Sequence, residues 1–243
     1  MRRRDFLKGS AAAAGVAAAA GWSIAGAASR AAGEGSGRLT PPAGDGKIPV
    51  AVTISEGVTV IDFTGPWEVF QDAHVTELGG DMERMMPFRL YTVSETLEPV
   101  RGSAGLKLVP DYTFATAPPP RVVVVPAQRG SAALHEWLRK TSRTADLTMS
   151  VCTGAFHLAK AGLLAGLDAT THHDFTDRLA SQYPDIKVKK GLRFVEGAPK
   201  IATAGGLSSG IDLALRVVER YYGRAAAERT AGYMEYQSKG WIV

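Results

Sequence analysis

Cysteine occurs once in the 243 residues, as Cys152, so an internal disulfide is excluded. A strongly lipophilic run is also missing. The apolar tract from Ser10 to Ala27 is almost all alanine and glycine, well short of what a stable membrane span needs. Charge of one sign is scarce once position is considered. The formal net charge is +4 and the sequence pI about 9.2, yet residues 1–27 alone carry +3, from Arg2, Arg3, Arg4 and Lys8 against Asp5. The remainder is nearly neutral, so the pI gives no footing for binding nucleic acid or anionic lipid. No internal repeat is visible, and no His/Cys/Glu cluster has metal-ligand spacing.

What stands at the amino terminus is Arg2-Arg3-Arg4-Asp5-Phe6-Leu7-Lys8, the Ala/Gly tract, and Ala25-Gly26-Ala27 before Ala28. This order reads as a twin-arginine signal cleaved after Ala27, and implies a periplasmic or otherwise extracytoplasmic protein with no membrane span once processed. From Ala28 to about Gly46 the Gly/Ala/Ser/Pro composition reads as a flexible linker. Residues 47–243 suffice for one domain. A free thiol kept on a route to an oxidising compartment invites a chemical reason.

Apolar runs alternate with helical patterns in that domain. Strands are expected at 47–54, 88–93, 121–125, 147–151, 169–172 and 200–204, with a hairpin excursion over 97–114 around Gly102–Gly105 and a β-pair over 186–195 across Gly191. Helices are expected at 64–74 with Gly65 as cap, 132–141, 153–164, 174–183 capped by Asp174, 210–222 and 224–237. The four valines Val122–Val125 have the β-branched continuity of a strand buried on both faces. Interleaved strands and helices imply an α/β fold, an open and mostly parallel sheet flanked by helices on both faces, with ligands at the carboxyl ends of strands.

Cys152 falls at such an end. In Leu147-Thr-Met-Ser-Val-Cys152-Thr153-Gly154-Ala155 an apolar strand breaks at a nucleophile and resumes as a helix, a strand–elbow–helix signature. A helix amino terminus there favours the thiolate; a packed, inert thiol is the alternative. Asp62 after the first strand, Pro126-Ala127-Gln128-Arg129 after the valine strand, and Thr170-Thr171-His172-His173 should reach the same edge. A carboxyl group beside a thiolate would have its pKa raised by like charge and burial; Asp62 as a helix cap is the alternative. Thr153 offers an N–H to a developing anion and a hydroxyl to orient water, or satisfies only its own backbone. His172 and His173, as neighbours on a strand, should point to opposite faces, so at most one faces the thiol. Phe63, Trp67 and Phe156 are pocket-wall candidates that read equally as core.

Over 47–223 the chain resembles the ThiJ/PfpI superfamily, with the class I glutamine amidotransferase-like, flavodoxin-like fold. The resemblance is carried by Val58-Thr-Val-Ile-Asp62-Phe-Thr-Gly-Pro-Trp-Glu-Val-Phe70, Val151-Cys-Thr-Gly-Ala155, Ala169-Thr-Thr-His172 and Thr203-Ala-Gly-Gly-Leu-Ser-Ser-Gly-Ile-Asp212. These motifs look like the isonitrile hydratase branch and like the ligand-sensing halves of AraC-type regulators. The resemblance implies Cys152 as nucleophile, Asp62 as acid/base partner and Thr153 beside the thiol, with no metal or organic cofactor. It also implies a small-molecule substrate and a homodimer, the terminal helices offering apolar residues such as Leu213, Leu215, Val217 and Val218. Two departures stand out. Relatives usually carry two glycines after the strand-ending proline, where this chain has Ala127-Gln128, which puts the Gln128 N–H at the second oxyanion-donor position and the Gln128 and Arg129 side chains where they would narrow or polarise the pocket. By the same resemblance His172 matches the family histidine near the pocket, and His173 replaces what is often tryptophan. The implied reaction is hydration of an isonitrile to an N-substituted formamide. The alternative is an exported ligand-binding or thiol redox-sensing protein. Regulators continue into a helix-turn-helix, whereas this sequence ends at Val243, so no nucleic-acid partner is expected.

Overall fold

The computed structural model describes residues 37–44 and 46–243; the predicted export signal and most of the predicted linker lie outside them. In chain order the strands are β1 Ile48–Thr53, β2 Phe88–Ser94, β3 Val100–Arg101, β4 Lys107–Leu108, β5 Tyr112–Thr113, β6 Val122–Val125, β7 Leu147–Ser150, β8 Asp168–Ala169, β9 Lys187–Val188, β10 Phe194–Ala198 and β11 Ile201–Ala204. The α-helices are α1 Val60–Gln71, α2 Met82–Met85, α3 Ala132–Thr141, α4 Ala155–Lys160, α5 Thr176–Gln182, α6 Ser209–Tyr222 and α7 Arg224–Tyr233.

Seven strands form one sheet in the order β10-β11-β7-β6-β1-β2-β5. Within that sheet, among the described residues, only the β10–β11 pair is antiparallel. β6 lies in the middle, and its four valines are fully buried. Their side chains alternate as a pleated strand requires. Val122 and Val124 pack with residues of α1, α6 and α7 on one face, Val123 and Val125 with residues of α3, α4 and α5 on the other. A strand buried on both faces has no polar side to show, which is why the sequence there is an unbroken β-branched run.

Several boundaries differ from the sequence expectation, each for a local reason. α1 begins four residues earlier than expected, with Thr59 rather than Gly65 as its N-cap, and Pro66 sits inside it. Proline there deprives the Asp62 carbonyl of its helical donor, yet the helix continues because its face is buried. The elbow helix is shorter, a 3₁₀ turn Cys152–Gly154 followed by α4. The strand expected to reach His172 stops at Ala169, and Asp174 does not cap α5: the His172 imidazole accepts the Asp174 N–H at 3.3 Å instead. The expected pair across Gly191 does not form, since β9 pairs parallel with β8 while β10 pairs with β11. α7 ends at Tyr233. Leu213, Leu215, Val217 and Val218 are consumed by the core, so the apolar surface expected of α6 is used within the chain. The carboxyl end of the expected linker is tied down: Leu39 donates to the Arg220 carbonyl at 2.9 Å, and Arg121 and Arg220 donate to the Thr40 and Gly37 carbonyls.

The elbow helix is docked unusually close to the sheet. A Cβ at Gly154 would stand 2.0 Å from the Val125 carbonyl oxygen, an approach only glycine permits. Gly154→Ala therefore must displace α4 or β6, and is expected to lower unfolding free energy by about 2–3 kcal/mol in urea titrations; a change within experimental error would contradict the close docking.

Candidate active site

Four adjacent strands, β11, β7, β6 and β1, each deliver one piece to the carboxyl edge of the sheet. β7 delivers Cys152. Its φ is 58°, the left-handed region that costs a residue with a Cβ on the order of 1–2 kcal/mol. Both of its peptide groups are held: Cys152 N–H donates to the Gly205 carbonyl at 2.8 Å, and Thr171 Oγ1 donates to the Cys152 carbonyl at 2.8 Å. The residue is buried, 7% exposed.

β1 leads into α1, whose first turn carries Asp62, fully buried. Its Oδ2 accepts the Ala127 N–H at 3.1 Å, so the carboxylate reaches across to the loop after β6 rather than capping its own helix. Oδ1 is buried without a hydrogen-bond partner. Burial raises the Asp62 pKa to about 6, while the Ala127 N–H, the Cys152 thiol and the Leu207 N–H pull it back. Burial likewise raises the thiol to about 11, reinforced by the charge of Asp62 and opposed by the Thr153 and Leu207 N–H groups. The thiolate expected at rest is thus not the favoured state. Desolvation and a neighbouring carboxylate outweigh the pull of a short helix terminus, and near neutral pH the pair holds a thiol beside a carboxylate.

β6 leads into Pro126-Ala127-Gln128. Since the Ala127 N–H is committed to Asp62, it is not free to meet a developing anion. The Gln128 side chain does not enter an oxyanion pocket either: its Nε2 donates to Thr53 Oγ1 at 2.6 Å, folding back over the end of β1. Arg129 is tied to the loop after β1 through its N–H to the Glu56 carbonyl, at 3.0 Å.

β11 supplies a piece that sequence reasoning passed over. Leu207 follows Gly205-Gly206 with φ 52°, like Cys152 a non-glycine residue in the left-handed region, and its N–H bears on both Cys152 and Asp62. The segment Thr203–Asp212 was legible only as a family marker; a bulky residue forced left-handed after two glycines has no signature of its own.

His172 lies beside this turn. A Cβ at Gly206 would stand 2.3 Å from its ring, and both residues line a cavity of about 280 Å3 together with Thr171 and Leu207. The two histidines do not point to opposite faces as expected: they lie off the strand, and their rings stack at 4.3 Å. With Asp174 they bring three potential metal-donor atoms within 4.8 Å, where no cluster was expected, although His172 Nδ1 already accepts the Asp174 N–H. Phe63 is core, Trp67 packs against it, and Phe156 lies under Arg178 at 5.7 Å.

The DJ-1/PfpI family model matches residues 49–220. An isonitrile hydratase of Pseudomonas putida is 32% identical over 74% of each chain. The HTH-type transcriptional regulator CdhR of Pseudomonas aeruginosa is 32% identical over 56% of this chain, which spans 41% of the regulator's length. Among solved structures, a ThiJ/PfpI family protein from Pseudomonas syringae superposes with a TM-score of 0.68 at 28% identity, covering 80% of this chain and 77% of that one. With a fold of this order and a family match across the whole sheet, the chain belongs to the DJ-1/PfpI family.

Proposed function

We propose that the protein hydrates isonitriles to N-substituted formamides, with Cys152 as nucleophile and Asp62 as the proton carrier. The observation that carries this reading is the buried pairing of a thiol on a left-handed elbow with a carboxyl group whose pKa lies near 6, in a chain similar to an isonitrile hydratase. An isonitrile carbon is electrophilic towards sulfur and, once attacked, basic. As the Cys152 S–C bond forms, Asp62 takes the thiol proton and passes it to that carbon, giving a thioimidate. Asp62 then takes a proton from water, whose hydroxide adds to the thioimidate carbon, and passes that proton to the nitrogen, while the second water proton stays on the new hydroxyl until the adduct collapses. Collapse of the tetrahedral adduct breaks the C–S bond, releases the formamide and returns the proton of the former water to sulfur through Asp62. The Thr153 hydroxyl orients the water, and the Thr153 and Leu207 N–H groups steady charge on sulfur. Each step uses the chain's own groups.

Turnover of cyclohexyl isocyanide, followed by formamide appearance, is expected to vanish in Cys152→Ala and to fall by about 100-fold or more in Asp62→Asn. In the wild type kcat/KM should fall as pH drops through about 6, because protonated Asp62 cannot accept the thiol proton. No formamide from folded wild-type protein would refute the assignment.

The same burial makes Asp62 a liability for folding. Its pKa is 3.8 ordinarily and about 6 in place, so as pH rises between those values the unfolded chain loses its proton first and stability falls. Above pH 7 the cost is on the order of 2–3 kcal/mol. Asp62→Asn should accordingly melt higher than the wild type at pH 7.5, with the gap closing below pH 4; equal melting temperatures at pH 7.5 would contradict the burial cost.

A second reading, an exported ligand binder or thiol sensor, is favoured by the likeness to a regulator, although a thiol held neutral resists oxidation and so weighs towards the binder. Peroxide-linked loss of the Cys152 thiol without isonitrile turnover would select it. The sequence before residue 28 supports export by the twin-arginine route, in which case the secreted protein should begin at Ala28 on amino-terminal sequencing. The homodimer rests on resemblance alone.

A further inference from the structure

The loop that contacts Asp62 is gripped from its other side by a pair of histidines that the reaction does not use. His157 lies on α4, five residues after Cys152, and its Nε2 is 3.0 Å from the Gln128 carbonyl oxygen. A carbonyl only accepts, so His157 carries its proton on Nε2 and leaves Nδ1 as an acceptor. That Nδ1 is 3.3 Å from His135 Nε2, on α3, which must then be the donor. The two imidazoles form one directed chain, His135 to His157 to Gln128. Burial lowers the pKa of both, His135 to about 4; Lys160 adds to this on each and Arg139 on His135, while the Gln128 carbonyl opposes it at His157 without reversing it, so both rings are neutral near pH 7, as the chain of donors needs. Glycine at 130 makes room for them. A Cβ there would stand 2.6 Å from His157 Cε1 and 3.2 Å from His135 Nε2.

The grip closes a circuit. From Cys152 the path runs along α4 to His157, across to Gln128, back one residue to Ala127, and through the Ala127 N–H to Asp62, which faces Cys152. The Ala127 carbonyl in turn accepts the Thr59 N–H at 2.8 Å, at the start of the helix bearing Asp62. The helix that carries the thiol and the helix that carries the carboxyl group are thereby joined through one short turn.

We propose that the His135–His157 pair is a positioning device for the Cys152–Asp62 site, clamping the Pro126–Gln128 turn so that the Ala127 N–H stays on the Asp62 carboxylate. The proposal rests on Cys152 and Asp62 being the reactive pair. Losing the clamp loosens an N–H that favours the ionised carboxylate, so the Asp62 titration moves upward.

The test is alkylation of Cys152 by iodoacetamide as a function of pH, which needs no isonitrile. In the wild type the rate should rise through an inflection near pH 6 as Asp62 becomes able to accept the thiol proton, and Asp62→Asn should abolish that inflection. His157→Phe should move it upward by about one pH unit. His157→Gln, which can still donate to the Gln128 carbonyl, should return it towards the wild-type position. Gly130→Ala, which pushes the imidazole off the loop, should act like His157→Phe and serves if that variant fails to fold. An unmoved inflection in folded His157→Phe or Gly130→Ala, whatever the change in melting temperature, would overturn the proposal. A shifted inflection in a protein that does not turn over isonitriles would leave the clamp standing and refute only the hydratase reading.

Discussion

A strand can become a helix at a residue with φ of 58° only if the fold holds both of that residue's peptide groups, and here two neighbouring segments do so. The Gly205 carbonyl takes the Cys152 N–H, and the Thr171 hydroxyl takes hold of its carbonyl. Gly205 follows β11 directly, and Thr171 lies just beyond β8, so the geometry of the thiol depends on strands being laid side by side in the correct order. Gly154 then allows the following helix to descend onto Val125. The strain at one residue is thus repaid by the packing of the whole carboxyl edge.

Once the thiol is fixed there, its chemistry follows from its burial. Desolvation disfavours charge on sulfur and on Asp62 alike, and the two groups contend for a single negative charge. The site therefore stores a proton on sulfur that the carboxylate can take, instead of a thiolate ready at rest. A helix of six residues preceded by a 3₁₀ turn cannot reverse that balance. This suits addition to a carbon that must gain both a sulfur and a proton.

The sheet was legible because its strands announce themselves: four valines with no polar side, and an apolar run that ends at Cys152. The two-face packing of helices followed from their alternation with strands. Less legible was anything decided across the sheet rather than along the chain. Helix α1 starts before Gly65 because burial tolerates Pro66, a tertiary effect that overrides local rules. The Gln128 side chain was expected in the pocket, but it finds Thr53 across the edge. His172 and His173 share a side because the strand beneath them ends early, so period-two reasoning no longer applied. Leu207 and His157 gave no signal at all, since Leu207 acts through its own backbone N–H, which any residue but proline carries, and His157 through the carbonyl of another segment.

The anchoring of residues 37–40 has a consequence for how the protein would be displayed. Those residues are bound by Arg121, just ahead of β6, and by Arg220, near the end of α6, both at the amino edge of the sheet. The thiol lies at the carboxyl edge, about 15–20 Å away along the strands. A tether entering through that end, to a surface or to a fused protein, would leave the carboxyl edge that carries Cys152 turned away from it.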